Sequence, residues 1–175
     1  SKPVINAGDG NGEHPTQAIL DFYTIYKRFD IPKNSINILF VGDIKNSRTI
    51  HSLMEILIKF PNFKIFAFSY LNCELLDPII NNVDSIENLG IYDIIYYTRF
   101  QKERSLLGDE YNIPEEYILN NQKLRTAKRS CIIMHPLPRN DEISNEVDKD
   151  KRCVYFEQVE NGLLVRMAIL DEFFQ

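Results

Sequence analysis

Apolar residues along this chain follow two rhythms, and the rhythms alternate. In "PTQAILDFYTIYKRF", Ala18, Phe22, Ile25 and Phe29 recur at helical spacing, with Ile19, Tyr23 and Tyr26 beside them. Pro15 suits a first helical turn, and Gln17 sits where it could help cap that turn. "INILFVGD" is a short run rich in Ile and Val that ends in Gly42-Asp43, which predicts a buried strand. "SRTIHSLMEILIKF" predicts the next helix: Ile50, Leu53, Leu57 and Phe60 form one stripe, widened by Met54 and Ile58. "KIFAFS" predicts a second strand, residues 74–81 a short helix, Gly90 a turn, and "DIIYYT" a third strand. "YIL", at 117–119, predicts a brief fourth strand, and Asn120 can cap a helix running to about Lys128. "CIIMHP" predicts a fifth strand and "VYFEQ" a sixth. From Leu163 a closing helix carries Leu163, Met167, Leu170 and Phe174 on one face.

Strand and helix take turns, and the strands are apolar on both sides. That pattern belongs to an α/β fold, a three-layer doubly wound parallel sheet with helices on both faces. In such sheets ligands sit outside the carboxyl ends of the strands. Chemistry should therefore follow the strands. After the first comes Gly42, then "DIKNSRT", with Arg48 at a helix start. After the third comes Arg99, then Gln101, Lys102 and Arg104; after the fifth comes "HPLPR", a loop stiffened by two prolines. Arginine offers a flat fork of donors that matches a carboxylate or phosphate in two parallel hydrogen bonds. Two such forks from two loops suit a ligand with two anionic groups. Taken singly, each arginine reads as an ordinary solvated cation, whose ion pairs contribute about 0–1 kcal/mol. A nucleotide-binding sheet is the competing reading, but "VGDIKNSRT" has one glycine where the dinucleotide fingerprint needs three.

Composition narrows the partners. The 175 residues are 44% hydrophobic, enough for one domain with a real core. A net charge of -5 argues against general binding of nucleic acid or anionic membrane, so an anion must meet a local cluster of cations. No apolar run approaches membrane-spanning length, and the opening residues do not read as a signal peptide. Cys73, Cys131 and Cys153 are widely spaced and form no CxxC, so they read as reduced, buried thiols of a cytoplasmic protein.

The motifs "NAGDGNGEHPTQAILDFYTI", "GDIKNSRTIHSL", "YTRFQKER", "HPLPRNDEI" and "YFEQVENGLLVRMAIL" together resemble the aspartate carbamoyltransferase catalytic chains, in the family's order and over nearly the whole sequence. Ornithine carbamoyltransferases are similar at the HPxQ motif. They carry HCLP where this chain has "HPLP", and a Ser-Met-Gly segment where it has "TRFQKER". The resemblance implies a Rossmann-like carbamoyltransferase fold and transfer of a carbamoyl group from carbamoyl phosphate to L-aspartate, in pyrimidine synthesis, with no metal or organic cofactor. By the same resemblance, His14 donates to the carbamoyl oxygen and Gln17 bonds the carbamoyl amide. Arg48 takes the α-carboxylate of aspartate, and Arg99, assisted by Gln101, takes the β-carboxylate. The backbone carbonyls of Leu137 and Pro138 accept from the carbamoyl NH2 and the attacking amine. Outside the resemblance, His14 and Gln17 read only as helix-start residues, His51 as packing, and His135 and Arg139 as loop anchors.

The family's first domain holds phosphate through a Ser-Thr-Arg-Thr segment that this sequence lacks. The resemblance therefore implies the aspartate-binding half of a longer chain. Residues 1–14 correspond to the end of the carbamoyl-phosphate domain, 15–160 to the aspartate domain with its linking helix, and 161–175 to a helix returning toward the first domain. It also implies a homotrimer, with a regulatory chain left open, and a chain inactive by itself. Lys102, Glu103 and Arg104 match a loop that closes over aspartate. The alternative is a non-catalytic relative kept as an assembly domain; an ornithine carbamoyltransferase is a weaker one.

Overall fold

The computed structural model describes residues 3–31, 33–70, 74–75, 77–100 and 113–174. Its elements run α1 (Pro15–Tyr26), β1 (Ile36–Gly42), α2 (Arg48–Leu57), β2 (Phe63–Ser69), β3 (Ile80–Asn82), β4 (Ile94–Tyr97), α3 (Asn121–Thr126), β5 (Ile132–Met134) and α4 (Tyr155–Phe174). The five strands form one sheet in the order β3-β2-β1-β4-β5, and every pairing is parallel. The α/β parallel-sheet expectation therefore holds. No helix among the described residues is long and apolar enough to cross a membrane.

Alternation along β1 divides the core. Ile36, Ile38 and Phe40 face the layer of α1 and α2, where they meet Ala18, Ile25, Ile50, Leu53 and Leu57. Leu39 and Val41 face the opposite layer, with Phe68, Tyr97, Leu119 and Leu124. A strand buried on both faces needs apolar residues at successive positions, which is why the run is continuous. α4 lies against α1 at the outer edge of the first layer.

Strand order changes direction at β1, whose neighbours are β2 on one side and β4 on the other. The end of β1 is pinched there. Gly42 has φ +124°, and a Cβ on it would lie 2.2 Å from the Thr98 carbonyl oxygen. Only glycine fits so close an approach.

Several predicted elements differ. The described residues of the predicted 74–81 helix are not helical: Asp77 accepts the backbone N–H groups of Ile79 (Oδ1, 2.9 Å) and Ile80 (carbonyl, 3.0 Å). This Asp-Pro turn sends the chain into β3, a three-residue edge strand. "YIL" is no strand of the sheet. Lys123 Nζ donates to the carbonyls of Glu115, Glu116 and Ile118, so those oxygens are not available to a ladder. Only a single bridge, Leu119 to Ile143, forms there. Asn120 does cap α3, accepting from Lys123 N at 2.9 Å, but the helix stops at Thr126. "VYFEQ" is helical: after one bridge from Cys153 to Ile133, α4 begins at Tyr155 rather than Leu163. The predicted stripe of Leu163, Met167, Leu170 and Phe174 faces outward, each more than half exposed. The buried face of α4 is Tyr155, Gln158, Asn161, Gly162 and Val165.

Candidate active site

A cleft of about 230 Å³ opens at the carboxyl ends of β1, β4 and β5, where the strand order reverses. It is lined by His14 and Gln17 from α1, Ser47, Arg48 and Thr49 from the start of α2, Thr98 and Arg99 after β4, and residues 135–138 after β5. The structure thus brings six of the seven sequence-identified residues into one cavity. The seventh, Gln101, lies outside the described residues, as do Lys102, Glu103 and Arg104.

His14 precedes α1 and uses its backbone N–H to bond Ser52 Oγ on α2 at 2.9 Å. Glu13 accepts from the same hydroxyl, which clamps the α1 entrance to α2. Desolvation, followed by the charges of Arg48 and Arg166, pulls the His14 pKa below its ordinary value. The imidazole is therefore neutral at neutral pH and offers one N–H donor. Its Nδ1 is buried with no partner among the described residues. Gln17 does not cap the helix as expected. Its Nε2 instead donates to Asp21 Oδ1, one turn on, at 2.9 Å.

Arg48 is the first residue of α2, and its Nη1 donates to the Gly10 carbonyl at 2.9 Å. Its guanidinium passes so close to Gly8 that a Cβ there would lie 3.2 Å from Nη1. Hydroxyls join the two arginine-bearing segments: Ser47 Oγ lies 3.0 Å from Thr49 Oγ1 and 3.3 Å from Thr98 Oγ1. Asp43 accepts from Asn46 Nδ2 at 2.8 Å and so shapes the preceding loop.

The β5 loop is anchored from below. His135 and Glu142 are both buried, and His135 Nε2 lies 2.9 Å from Glu142 Oε1. His135 Nδ1 accepts from Leu137 N at 2.9 Å, so the proton sits on Nε2 and is donated to the carboxylate. Burial alone would raise the Glu142 pKa; the bonds from His135 and from the Asn140 N–H outweigh it and hold the carboxyl below its ordinary range. Leu137 has φ +51°, a left-handed conformation uncommon for leucine, and the Leu137-Pro138 bond is cis. Arg139 reaches away from the cleft to Asp148 and lies over the Tyr155 ring. His135 and Arg139 are loop anchors, as the sequence indicated. His51 bonds the Ile44 carbonyl at 3.0 Å, a local contact inside the fold.

Ser47, Thr49, Thr98 and Pro136 also line the cleft without having been singled out. Thr98 was findable, since it is the first residue past β4; Ser47 and Thr49 flank Arg48. Asp21 and Gln158 carried no signal, because each looks like a polar residue on the solvent side of a helix or strand.

The sequence of residues 34–173 matches the family model described as aspartate/ornithine carbamoyltransferase, Asp/Orn binding domain. The chain belongs to that family. Residues 1–27 match its companion, the carbamoyl-P binding domain. Among similar proteins is the aspartate carbamoyltransferase catalytic subunit of Clostridium acetobutylicum, 43% identical, with 97% of this chain and 59% of that protein covered. The catalytic subunit of M. jannaschii aspartate transcarbamoylase superposes with a TM-score of 0.85 at 38% identity, covering 98% of this chain and 59% of the other. The Trypanosoma cruzi enzyme in complex with aspartate and phosphate superposes with a TM-score of 0.78 at 36% identity, covering 96% and 56%. This family member thus spans a little under three fifths of the length of such relatives.

Proposed function

We propose that this chain is the aspartate-binding part of an aspartate carbamoyltransferase, which transfers a carbamoyl group from carbamoyl phosphate to L-aspartate in de novo pyrimidine synthesis. The observation that carries this reading is the cleft itself. Two arginines, a neutral histidine donor and the "HPLP" turn come from four separate segments to line one cavity. The names of the relatives, and the aspartate found with the T. cruzi enzyme, support the acceptor.

Each residue type then has a task. The amine nitrogen of aspartate attacks the carbamoyl carbon, the carbonyl π bond opens onto oxygen, and a tetrahedral intermediate forms. Collapse breaks the carbon–oxygen bond to phosphate, which leaves with the electron pair and takes up the amine proton. Negative charge grows on the carbamoyl oxygen, and the His14 N–H meets it; one such donor is worth roughly 3–4 kcal/mol. Desolvation first, and then the charges of Arg48 and Arg166, keep His14 in the neutral form that supplies this donor. Arg48 holds the α-carboxylate of aspartate, and Arg99, with Gln101, the β-carboxylate. Gln17 and the carbonyls of Leu137 and Pro138 receive the carbamoyl NH2, and the Leu137 carbonyl also receives the attacking amine. In the intact enzyme, a homotrimer, residues 1–14 close the carbamoyl-phosphate domain, residues 15–160 form the aspartate domain, and residues 161–175 return toward the first domain.

The test is a carbamoyltransferase assay comparing aspartate with ornithine, on the full-length gene product and on this chain alone. Activity with aspartate in the longer protein only is expected. Absence of activity in both would leave an assembly domain. In the active protein, Arg99→Ala should cost about 2–5 kcal/mol in kcat/KM for aspartate, because a desolvated carboxylate loses its fork. Unchanged aspartate kinetics would refute the assignment of Arg99.

A further inference from the structure

Behind the cleft, a carboxylate sits where the fold offers it no solvent. Asp21, on α1, is fully buried. Its Oδ1 accepts from Gln17 Nε2 at 2.9 Å and from Gln158 Nε2 at 2.6 Å. Its Oδ2 accepts from the Tyr96 hydroxyl, on β4, at 2.7 Å. Gln158, on α4, is itself held at its other end: Gln158 Oε1 accepts the backbone N–H of His135 at 3.0 Å. A directed chain results, from the first residue of the β5 loop, through Gln158, to Asp21, and back to Gln17 at the cleft.

The direction matters because a primary amide has two unlike ends. A carboxylate oxygen accepts and an amide NH2 donates, so only the nitrogen of Gln17 can face Asp21. Gln158 cannot reverse either, since its oxygen must meet the His135 N–H. The Gln17 carbonyl oxygen is therefore the end turned to the cleft. An acceptor there bonds an NH2 group on a ligand; a reversed amide would present a donor instead.

We propose that Asp21 is a positioning residue that orients the Gln17 amide so that the cleft presents an acceptor to a carbamoyl NH2. The proposal rests on the function proposed above. It assigns to a residue that touches no substrate the selection of an NH2-bearing acyl phosphate. Protonation of Asp21 leaves this arrangement in place, because Oδ1 accepts both amides whether or not Oδ2 carries a proton. Burial, only partly offset by the three donors, does push this carboxyl up to about 7. A carboxyl kept in so dry a site at that electrostatic cost is consistent with a role beyond packing.

The experiment is a double-mutant cycle on the full-length chain, using Asp21→Leu, Gln17→Ala and the pair, with carbamoyl phosphate kinetics and thermal unfolding measured for each. Asp21→Leu has a similar volume but removes the Oδ1 acceptor, so the Gln17 amide is free to reverse. It should lower kcat/KM for carbamoyl phosphate about tenfold or more, as misoriented groups do, while KM for aspartate stays within about twofold. In the Gln17→Ala background the same substitution should change kcat/KM by less than about twofold, because the group it acts through is gone. Additive losses in the two backgrounds would overturn the proposal and leave Asp21 a structural residue. If Gln17→Ala alone has no effect on carbamoyl phosphate kinetics, the function proposed for Gln17 fails, and the proposal with it. Should Asp21→Leu not fold, neutron diffraction from the unmodified protein decides the matter, since it separates amide nitrogen from oxygen: nitrogen toward Asp21 supports the assignment, and oxygen toward Asp21 overturns it.

Discussion

The sheet and the α1–α4 seam are both buried, yet they are built from opposite materials. At the centre of β1 the buried side chains are apolar, with Leu39, Val41, Ile38 and Phe40 meeting Ile, Leu and aromatic side chains on both faces. Across the seam buried polar contacts join the two helices. Asn161 Nδ2 donates to Thr24 Oγ1 at 2.9 Å, Gln158 reaches Asp21, and Gly162 lets α4 approach Leu20. Hydrophobic burial in the sheet has no direction, so it can stabilise the fold but cannot aim a side chain. The seam's hydrogen bonds have fixed donors and acceptors, so they set the orientation of Gln17 and the height of the β5 loop. Stability and aim are thus assigned to different regions of one small domain.

Substitutions can break this contrast or sharpen it. The largest effect belongs to the sheet. Leu39→Ala, at a fully buried site between two strands, should cost about 3–5 kcal/mol of unfolding free energy by denaturant titration. An effect under about 1 kcal/mol would mean that the core around β1 is not closely packed.

Next comes Asp21. Its folded pKa of about 7 lies above the ordinary 3.8, chiefly because burial removes water from the charge. Between those values the folded state binds a proton that the unfolded state has released. Stability from this group therefore falls as pH rises from about 4 to about 7, and the penalty is full above the folded value. Asp21→Asn removes the dependence. Urea unfolding at pH 4.5 and pH 8 should show the variant gaining about 2–4 kcal/mol on the wild type over that interval. A constant difference across pH would mean that Asp21 ionises as a normal carboxylate.

The smallest effect lies at the seam's exposed end. Glu157, on α4, meets Lys27 at 2.9 Å and Arg28, and all three are partly solvated. Solvent and side-chain entropy discount such pairs, so Glu157→Gln should cost less than about 1 kcal/mol. A cost as large as that of Leu39→Ala would erase the distinction between the buried and exposed parts of the seam.

The two regions also differed in how readable they were. β1, β2, β4, β5, α1 and α2 lay open in the sequence, because burial on one or two faces writes a period into the chain. Arg48, Arg99 and the "HPLP" turn were legible for a related reason: parallel sheets place ligands past their strand ends, so position alone marked them. β3 was not legible. Its Asn81 and Asn82 are exposed at the sheet edge, and an edge strand of three residues needs no apolar pattern. "VYFEQ" misled because Val, Tyr and Phe favour strands, whereas packing placed Tyr155 and Gln158 on the buried side of a helix. The face of α4 with the large apolar residues points out, and the face with Gln, Asn and Gly points in.

By itself, then, the sequence determined the class of fold, the strands at its centre and the cations at its crevice, because each is a matter of period or of place along the chain. Tertiary structure alone decided that Gln17 turns from capping its helix to bonding Asp21. It also decided that Tyr96 and Gln158, 75 and 137 residues from Asp21, complete that carboxylate's shell. Hydrogen bonds between residues so far apart leave no period in a sequence. They exist only once the sheet has brought α1, β4 and α4 within 3 Å of one another's polar atoms.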